Sequence, residues 1–581
     1  MNVTAAREKP SATGKVSVTG TVRGASPSGA APPMPWLAWL PKAIAHAPGW
    51  KRPAIGFAAG AFSVLAMAPF FLSPVLFLTL PVLIWLIDGA GPLPRGRPTP
   101  DISLWRIARR AATSGWWFGF GYFVVGLHWI GEAFLVEADV FAWLLPFAVT
   151  LLPAGLAIFF AVATGLARLA WSRGLARILV LAVSLALAEW VRGHAFTGFP
   201  WNTLGYALTF PLPLMQTAGV LGIYGLTLWT IAIFAAPLVL WADARRDLGR
   251  RSLVLAITAA LVPFILLAGG GIFILKRQPM VIDDGARLRI VQPSIPQREK
   301  WLAEKQAANF STHLELSRTD PQGRRDDLAK ITHVIWPEAA MPFLPLERPE
   351  AMAIIGDLLP PRTYLVSGAI RVKRPTDGQP GPTRAYNSLL VLGENGTLAA
   401  IYDKIHLVPF GEYLPLQEWL EAIGLQQLSR LRGGFSAGDS PRPLLSIPGL
   451  PQVGALICYE AIFPSETVQS ASRPGIFLNL TNDGWFGTTI GPHQHLHQAR
   501  VRAVEQGIPL IRAANNGISA VIDAQGRVLA RLELNVKGVI DTGVPRVGPP
   551  PIYTRFGNGI FAVMVLIFLA WATALRQRPH S

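Results

Sequence analysis

A thiol, a carboxylate and an amine stand out in this sequence, each at the end of an apolar, β-favouring run. Cys458, in ALICYEAIFP, is the only cysteine among 581 residues, so it cannot close an intramolecular disulfide. Glu338 ends THVIWPE, and Lys404 follows the run that leads into YDKIHL. In α/β enzymes strand ends open into crevices while strand bodies are packed, so reactive groups collect there. Together the three form a kit for acyl transfer. The thiolate is the nucleophile, and a thiol with a pKa of about 8.5 is mostly protonated at neutral pH. A carboxylate such as Glu338 takes that proton. An ammonium such as Lys404 favours the thiolate and stabilises a tetrahedral oxyanion, with the backbone N–H of Tyr459 as a natural second donor. Singly, each residue admits a plainer role: a small hydrophobe for Cys458, a capped strand end for Glu338, a surface lysine paired with Asp403 for Lys404. Spacing alone does not join them in space.

The segment that must position them is 276–557, where charge and turn signals increase. Strand-like runs are 288–295, 332–338, 363–370, 453–460 and 475–483. Residues 388–407 read as a hairpin around Asn395-Gly396, and 519–534 as a second around Gln525-Gly526. Helical patterns follow Pro349 and run from Gln494 to Gln506. Strands alternating with helices predict an α/β layered domain, long enough to bury its own core.

The rest of the chain is more apolar. Hydrophobic residues are 51% and charged ones 15%, with a mean hydropathy of +0.37, which points to bilayer spans. Apolar runs at 53–70, 72–89, 113–134, 141–166, 178–193, 213–240, 253–275 and 558–575 predict about eight spans, since one needs about 20 residues. Residues 1–52 read as a disordered basic tail, with no secretory signal. The net charge of +17 collects beside alternate runs: Arg95, Arg97, Arg106, Arg109 and Arg110; Arg168, Arg173 and Arg177; Arg245, Arg246, Arg250 and Arg251. Positive loops stay cytoplasmic, so the tail and 576–581 are expected inside and 276–557 on the periplasmic face of a bacterial inner membrane. The basic balance is then topological, and nucleic-acid binding is not expected.

IWPEAAMP, YDKIHLVPFGEYLP and ALICYEAIFP resemble the three motifs of the nitrilase, or carbon–nitrogen hydrolase, superfamily; NLTNDGWFG and RAVEQGIPLIRAANNGISAVID resemble its later segments. With the preceding and following spans, KWL at 300–302 and FPWN at 199–202, the chain from about residue 53 resembles the apolipoprotein N-acyltransferase branch. The resemblance implies an αββα sandwich and a Glu338–Lys404–Cys458 triad. Glu412 would support the lysine and base, and Tyr459 and Glu460 would flank the nucleophile. Trp301 would ride a mobile arm over the site. It also implies a phospholipid acyl donor, phosphatidylethanolamine, a diacylated apolipoprotein acceptor, and no cofactor. A monomer suffices for this chemistry. Phe410, Trp485 and Phe486 are candidates for an apolar entrance, or for ordinary core packing.

Other readings are weaker. His493, His495 and His497 could bind zinc, but no cysteine or clear carboxylate partner lies nearby in sequence, and no metal is expected. His406 could form a dyad with Cys458, but the resembled pattern uses Glu and Lys, so it is read as structural. Gly-rich runs lack the Lys-Ser/Thr ending of a phosphate loop. A membrane-tethered amidase would use the same triad with water as acceptor. A transporter would carry ionisable residues within several spans, whereas Glu132, Glu189 and Asp88 lie near run ends.

Overall fold

The computed structural model describes residues 36–577 apart from 92–102, 248–249, 376–381, 423, 426, 430–432 and 470–471. Two six-stranded sheets form the domain that carries the three reactive groups. The first comprises β1 (Ile282–Gln292), β2 (His333–Ile335), β3 (Tyr364–Lys373), β4 (Arg384–Leu392), β5 (Leu398–Asp403) and, at its far edge, β12 (Gly538–Pro545), in the order β12-β1-β2-β3-β4-β5. The second comprises β6 (Leu444–Leu445), β7 (Val453–Ile457), β8 (Ile476–Thr481), β9 (Leu510–Ala514), β10 (Ser519–Ile522) and β11 (Val528–Leu532), in the order β11-β10-β9-β8-β7-β6. The inner faces pack on each other: Leu288, Ile290, Ile335, Val366 and Leu389 meet Val453, Ala455, Ile457, Leu478 and Ile511. The outer face of the first sheet lies under the helices Gln306–Ser317 and Pro349–Leu358. The helix Gly491–Gln506 covers the second. Each sheet is thus buried on both faces, which is why its strands are continuous apolar runs. The expected sandwich of layers is present.

Both expected hairpins form. Asn395 takes the left-handed conformation (φ 59°) in the β4–β5 turn, which asparagine tolerates well. In the β10–β11 turn, Asp523 Oδ1 accepts from the backbone N–H groups of Gln525 and Arg527. β9 and β12 were not expected from sequence; β12 pairs antiparallel with β1 from the far end of the domain.

The helical region has a different relation to the apolar runs. Among the described residues, four helices are long and apolar enough to cross a membrane: Ala138–Leu169, Ala218–Asp243, Ile257–Arg277 and Gly559–Arg576. The first two runs fold as the 13-residue helices Lys51–Ser63 and Leu76–Asp88, too short to span alone. The third begins earlier than its apolar run, at Leu104, so Arg106, Arg109 and Arg110 lie on its first turns and not in a loop. Arg177 is also no loop charge. It is buried, with its guanidinium on Asp88 at 2.7 Å and Asp243 at 2.8 Å, and it ties three helices together. Arg95 and Arg97 lie outside the described residues, as do 1–35 and 578–581. The tail reading of 1–52 is corrected at Trp36–Ala45, a helix whose Ile44 packs with Trp85, Leu86 and Ala242. Alanine- and proline-rich surroundings had hidden this apolar stretch.

Candidate active site

β7 ends at Ile457, and the chain turns abruptly into the 3-10 turn Cys458–Ile462. Cys458 itself sits at φ 50°, a left-handed conformation that costs a non-glycine residue on the order of 1 kcal/mol or more. Glu460 holds the turn. It is fully buried, accepts the Ile457 N–H at 2.7 Å and pairs with Arg442 at 3.0 Å. Its other contacts reach the lysine-bearing segment: the Tyr402 hydroxyl at 2.8 Å and the backbone N–H groups of Ile405 and His406 at 3.0 and 3.2 Å. Glu460 thus joins the nucleophile turn to the end of β5. Although buried, its carboxyl is held below the ordinary carboxylate range, because the Arg442 charge and these donors outweigh the burial that opposes them.

Lys404 follows β5 directly and is almost fully buried. Its ammonium lies 2.9 and 3.0 Å from the two oxygens of Glu412 and 3.6 Å from Glu338. Burial favours the neutral amine, but Glu412 and Glu338 prevail and push the lysine above its ordinary value. Asn387, on β4, donates from one amide nitrogen to Glu338 at 2.8 Å and to Glu412 at 2.9 Å. Glu412 is further fixed by the Val408 N–H at 2.8 Å. Glu338 lies three residues past β2, and Gly368 of β3 runs directly beneath it: a Cβ on Gly368 would come within 2.5 Å of the Glu338 Cα. Only glycine lets the strand pass so close. The Cys458 thiol is pushed well above its ordinary value by burial and by the Glu338 charge, with Lys404 opposing.

Further groups close in on the cysteine that sequence reasoning missed. Lys300 Nζ donates to the Glu338 carbonyl at 2.9 Å; burial lowers it to about 8, against the charges of Glu338 and Cys458. His495 reaches the Cys458 carbonyl with Nε2 at 3.1 Å and Asp483 with Nδ1 at 2.8 Å. Arg512 binds the other oxygen of Asp483 at 2.7 Å. Cys458, Asp483 and His495 offer donor atoms within 4.8 Å of one another. Both His495 nitrogens and both Asp483 oxygens already have partners, so the chemistry of the set is that of a hydrogen-bond network and not of a vacant metal cradle. Histidine spacing had drawn attention to His495, but as a ligand. His497 instead bonds Thr209 at 2.7 Å, and His493 is half-buried. His406 bonds Glu466 at 2.7 Å and stacks on Phe463.

The turn after the cysteine is packed into the helical bundle. Tyr459, Ile462 and Phe463 belong to its core, and the Tyr459 hydroxyl donates to the Gly198 carbonyl at 3.1 Å. The FPWN loop meets it from the bundle side, with Phe199 stacked on Tyr459 and Trp201 Nε1 donating to Gln494 at 2.7 Å. Phe486 lies in this junction, against Trp129, Trp201 and His495. Trp485 is half-buried, while Trp301 and Phe410 are exposed. The structure thus gathers Glu338, Lys404, Glu412, Cys458, Tyr459 and Glu460, and leaves Trp301 and Phe410 at the surface.

Residues 287–548 match the carbon-nitrogen hydrolase family model, and 59–236 match that of the apolipoprotein N-acyltransferase N-terminal domain. An apolipoprotein N-acyltransferase of Rhodopseudomonas palustris is 49% identical over 94% of this chain and 98% of its own. One of Brucella suis is 44% identical over 90% and 95%. Among solved structures, an amidase from Nesterenkonia sp. AN1 is 19% identical and covers 49% of this chain and 98% of its own, with a TM-score of 0.32. The chain belongs to the apolipoprotein N-acyltransferase family.

Proposed function

We propose that this enzyme moves a fatty acyl chain from a phospholipid to the N-terminal amine of diacylated apolipoproteins, with Cys458 as the carrier. Glu338 takes the thiol proton, and the thiolate attacks an ester carbonyl of the donor, which we take to be phosphatidylethanolamine. Lys404 and the Tyr459 N–H hold the oxyanion. The ester C–O bond breaks, the lysophospholipid leaves with the proton from Glu338, and a thioester remains. The α-amine of the S-diacylglyceryl cysteine then attacks that thioester, losing its proton to Glu338. The C–S bond breaks, the Cys458 sulfur takes that proton back from Glu338, and an N-acyl amide is released.

The observation that carries this reading is the seating of the Tyr459–Phe463 turn in the core of the helical bundle. The nucleophile is thereby held against the membrane region, where both acylated substrates can arrive laterally without a soluble carrier. Poor access for water favours the amine over hydrolysis. In this reading about eight apolar segments cross the bacterial inner membrane, the short helices Lys51–Ser63 and Leu76–Asp88 being extended by the turns Val64–Ala66 and Ser73–Val75. The 276–557 domain faces the periplasm, Trp301 covers the site, and Phe410, Trp485 and Phe486 line its approach. A single copy suffices.

Incubation with phosphatidylethanolamine and a synthetic lipopeptide bearing S-diacylglyceryl cysteine tests it. The lipopeptide gains the mass of one acyl chain in a hydroxylamine-stable amide. Release of free fatty acid alone, with the lipopeptide unchanged, contradicts it in favour of a hydrolase that uses water as the acceptor.

A further inference from the structure

A cavity of about 440 Å³ lies where the bundle segment around Glu132 meets the loops of the hydrolase domain. That volume is in the range of small-molecule sites, about 300–1,000 Å³. Glu132 and Arg298 both line it, together with Ser294, Gln297, Thr488 and Asn516. Neither the Glu132 carboxylate nor the Arg298 guanidinium has a hydrogen-bond or ion-pair partner among the described residues. The Oδ1 atom of Asn516 is buried and also lacks a partner. Two glycines keep the space open. A Cβ on Gly487 would come within 2.7 Å of Glu132, and one on Gly484 within 3.0 Å of Asn516 Oδ1. Gly484 follows Asp483, and Gln297, which accepts from Asn482 at 2.7 Å, lies three residues before Lys300, so two segments that line the cavity also carry groups around Cys458.

Two opposite charges lining one cavity without pairing each other call for a ligand that carries both. An ammonium pairs with a carboxylate, and a phosphate with a guanidinium, through charge-assisted hydrogen bonds. Leu135, Val136 and Pro296 supply the apolar part of the wall, and Glu132 and Arg298 its charges. We infer that this cavity holds the zwitterionic head group of the acyl donor, its phosphate on Arg298 and its ammonium on Glu132, with Asn516 Oδ1 as a second acceptor for the ammonium. Glu132 then selects among phospholipids, since a glycerol head group offers it no cation. This assignment rests on the acyl-donor reading above.

The test compares the rate of acyl-adduct formation on the full-length protein from phosphatidylethanolamine and from phosphatidylglycerol, matched in acyl chains and mixed with one detergent. The wild type favours phosphatidylethanolamine by about tenfold, the order expected of one charge-assisted hydrogen bond. Glu132→Gln lowers the phosphatidylethanolamine rate and brings the ratio close to one, and an unchanged thermal unfolding midpoint in detergent shows that the variant is folded. Arg298→Gln, at an exposed position, slows both lipids alike. A ratio that Glu132→Gln leaves unmoved, or no slowing by Arg298→Gln, overturns the assignment. An effect of Glu132→Gln confined to transfer onto the lipopeptide overturns it in favour of the acceptor amine. If the wild type forms no adduct from any phospholipid, the acyl-donor reading itself fails and the head-group assignment falls with it.

Discussion

Glu412 grips the Lys404 ammonium with both carboxylate oxygens, at 2.9 and 3.0 Å, while Glu338 stands off at 3.6 Å. The lysine is therefore anchored by one acid and merely approached by the other. This leaves Glu338 able to move a proton without releasing the cation. Glu412→Gln keeps the shape but loses the anchoring charge, and Lys404 is expected to swing towards Glu338. The rate of acyl-enzyme formation should fall by about 100-fold, the scale of losing one oxyanion stabiliser. Rapid-quench measurement of the adduct checks this; a rate within twofold of wild type contradicts it.

Asn387 serves both acids from one nitrogen. Asn387→Leu leaves buried carboxylate oxygens short of a donor, at a cost of about 1–3 kcal/mol in stability. A lowered thermal unfolding midpoint in detergent, together with slower adduct formation, is the expected pair of outcomes.

Much of this site could be read from the sequence, because its three reactive groups stand where apolar β-runs stop. Glu338, Lys404 and Cys458 each lie within three residues of a strand end. Their supports were harder to see. Asn387 lies inside an apolar-flanked strand, 49 residues from one acid and 25 from the other. His495 is 37 residues from the carbonyl that it holds, and its closely spaced histidine neighbours suggested a metal instead. β12 could not be assigned because glycine and proline interrupt it and its partner β1 opens the domain. Charge counting read Arg177 as a loop marker, since it cannot distinguish a solvated arginine from one clamped between Asp88 and Asp243.

Lys300 gives the site a pH dependence. Burial lowers it to about 8 from 10.5. Below pH 8 its cation lies near the forming thiolate; as the pH rises through about 8 this support is lost, and adduct formation should decline. In Lys300→Met that decline is absent. Stability changes in the opposite sense. Between about 8 and 10.5 the unfolded chain retains a proton that the folded chain has released, so this group's contribution to stability rises with pH across that window. The substitution removes the rise, as thermal unfolding at several pH values would show.

Glu460 carries the connection between the nucleophile turn and the lysine segment. Glu460→Ala strands the buried Arg442 charge and leaves three backbone N–H groups without their acceptor. Breaking one side of a buried pair costs about 3–5 kcal/mol. The variant should unfold at a markedly lower temperature than Glu338→Gln, whose effect is expected mainly on rate.

If Cys458 carries the acyl chain, intact-mass spectrometry after incubation with phosphatidylethanolamine detects it on the protein. The wild type is expected to gain the mass of one acyl chain, lost on treatment with hydroxylamine and absent from Cys458→Ala. Continued acylation of the lipopeptide by Cys458→Ala, with no adduct on the wild type, would contradict it.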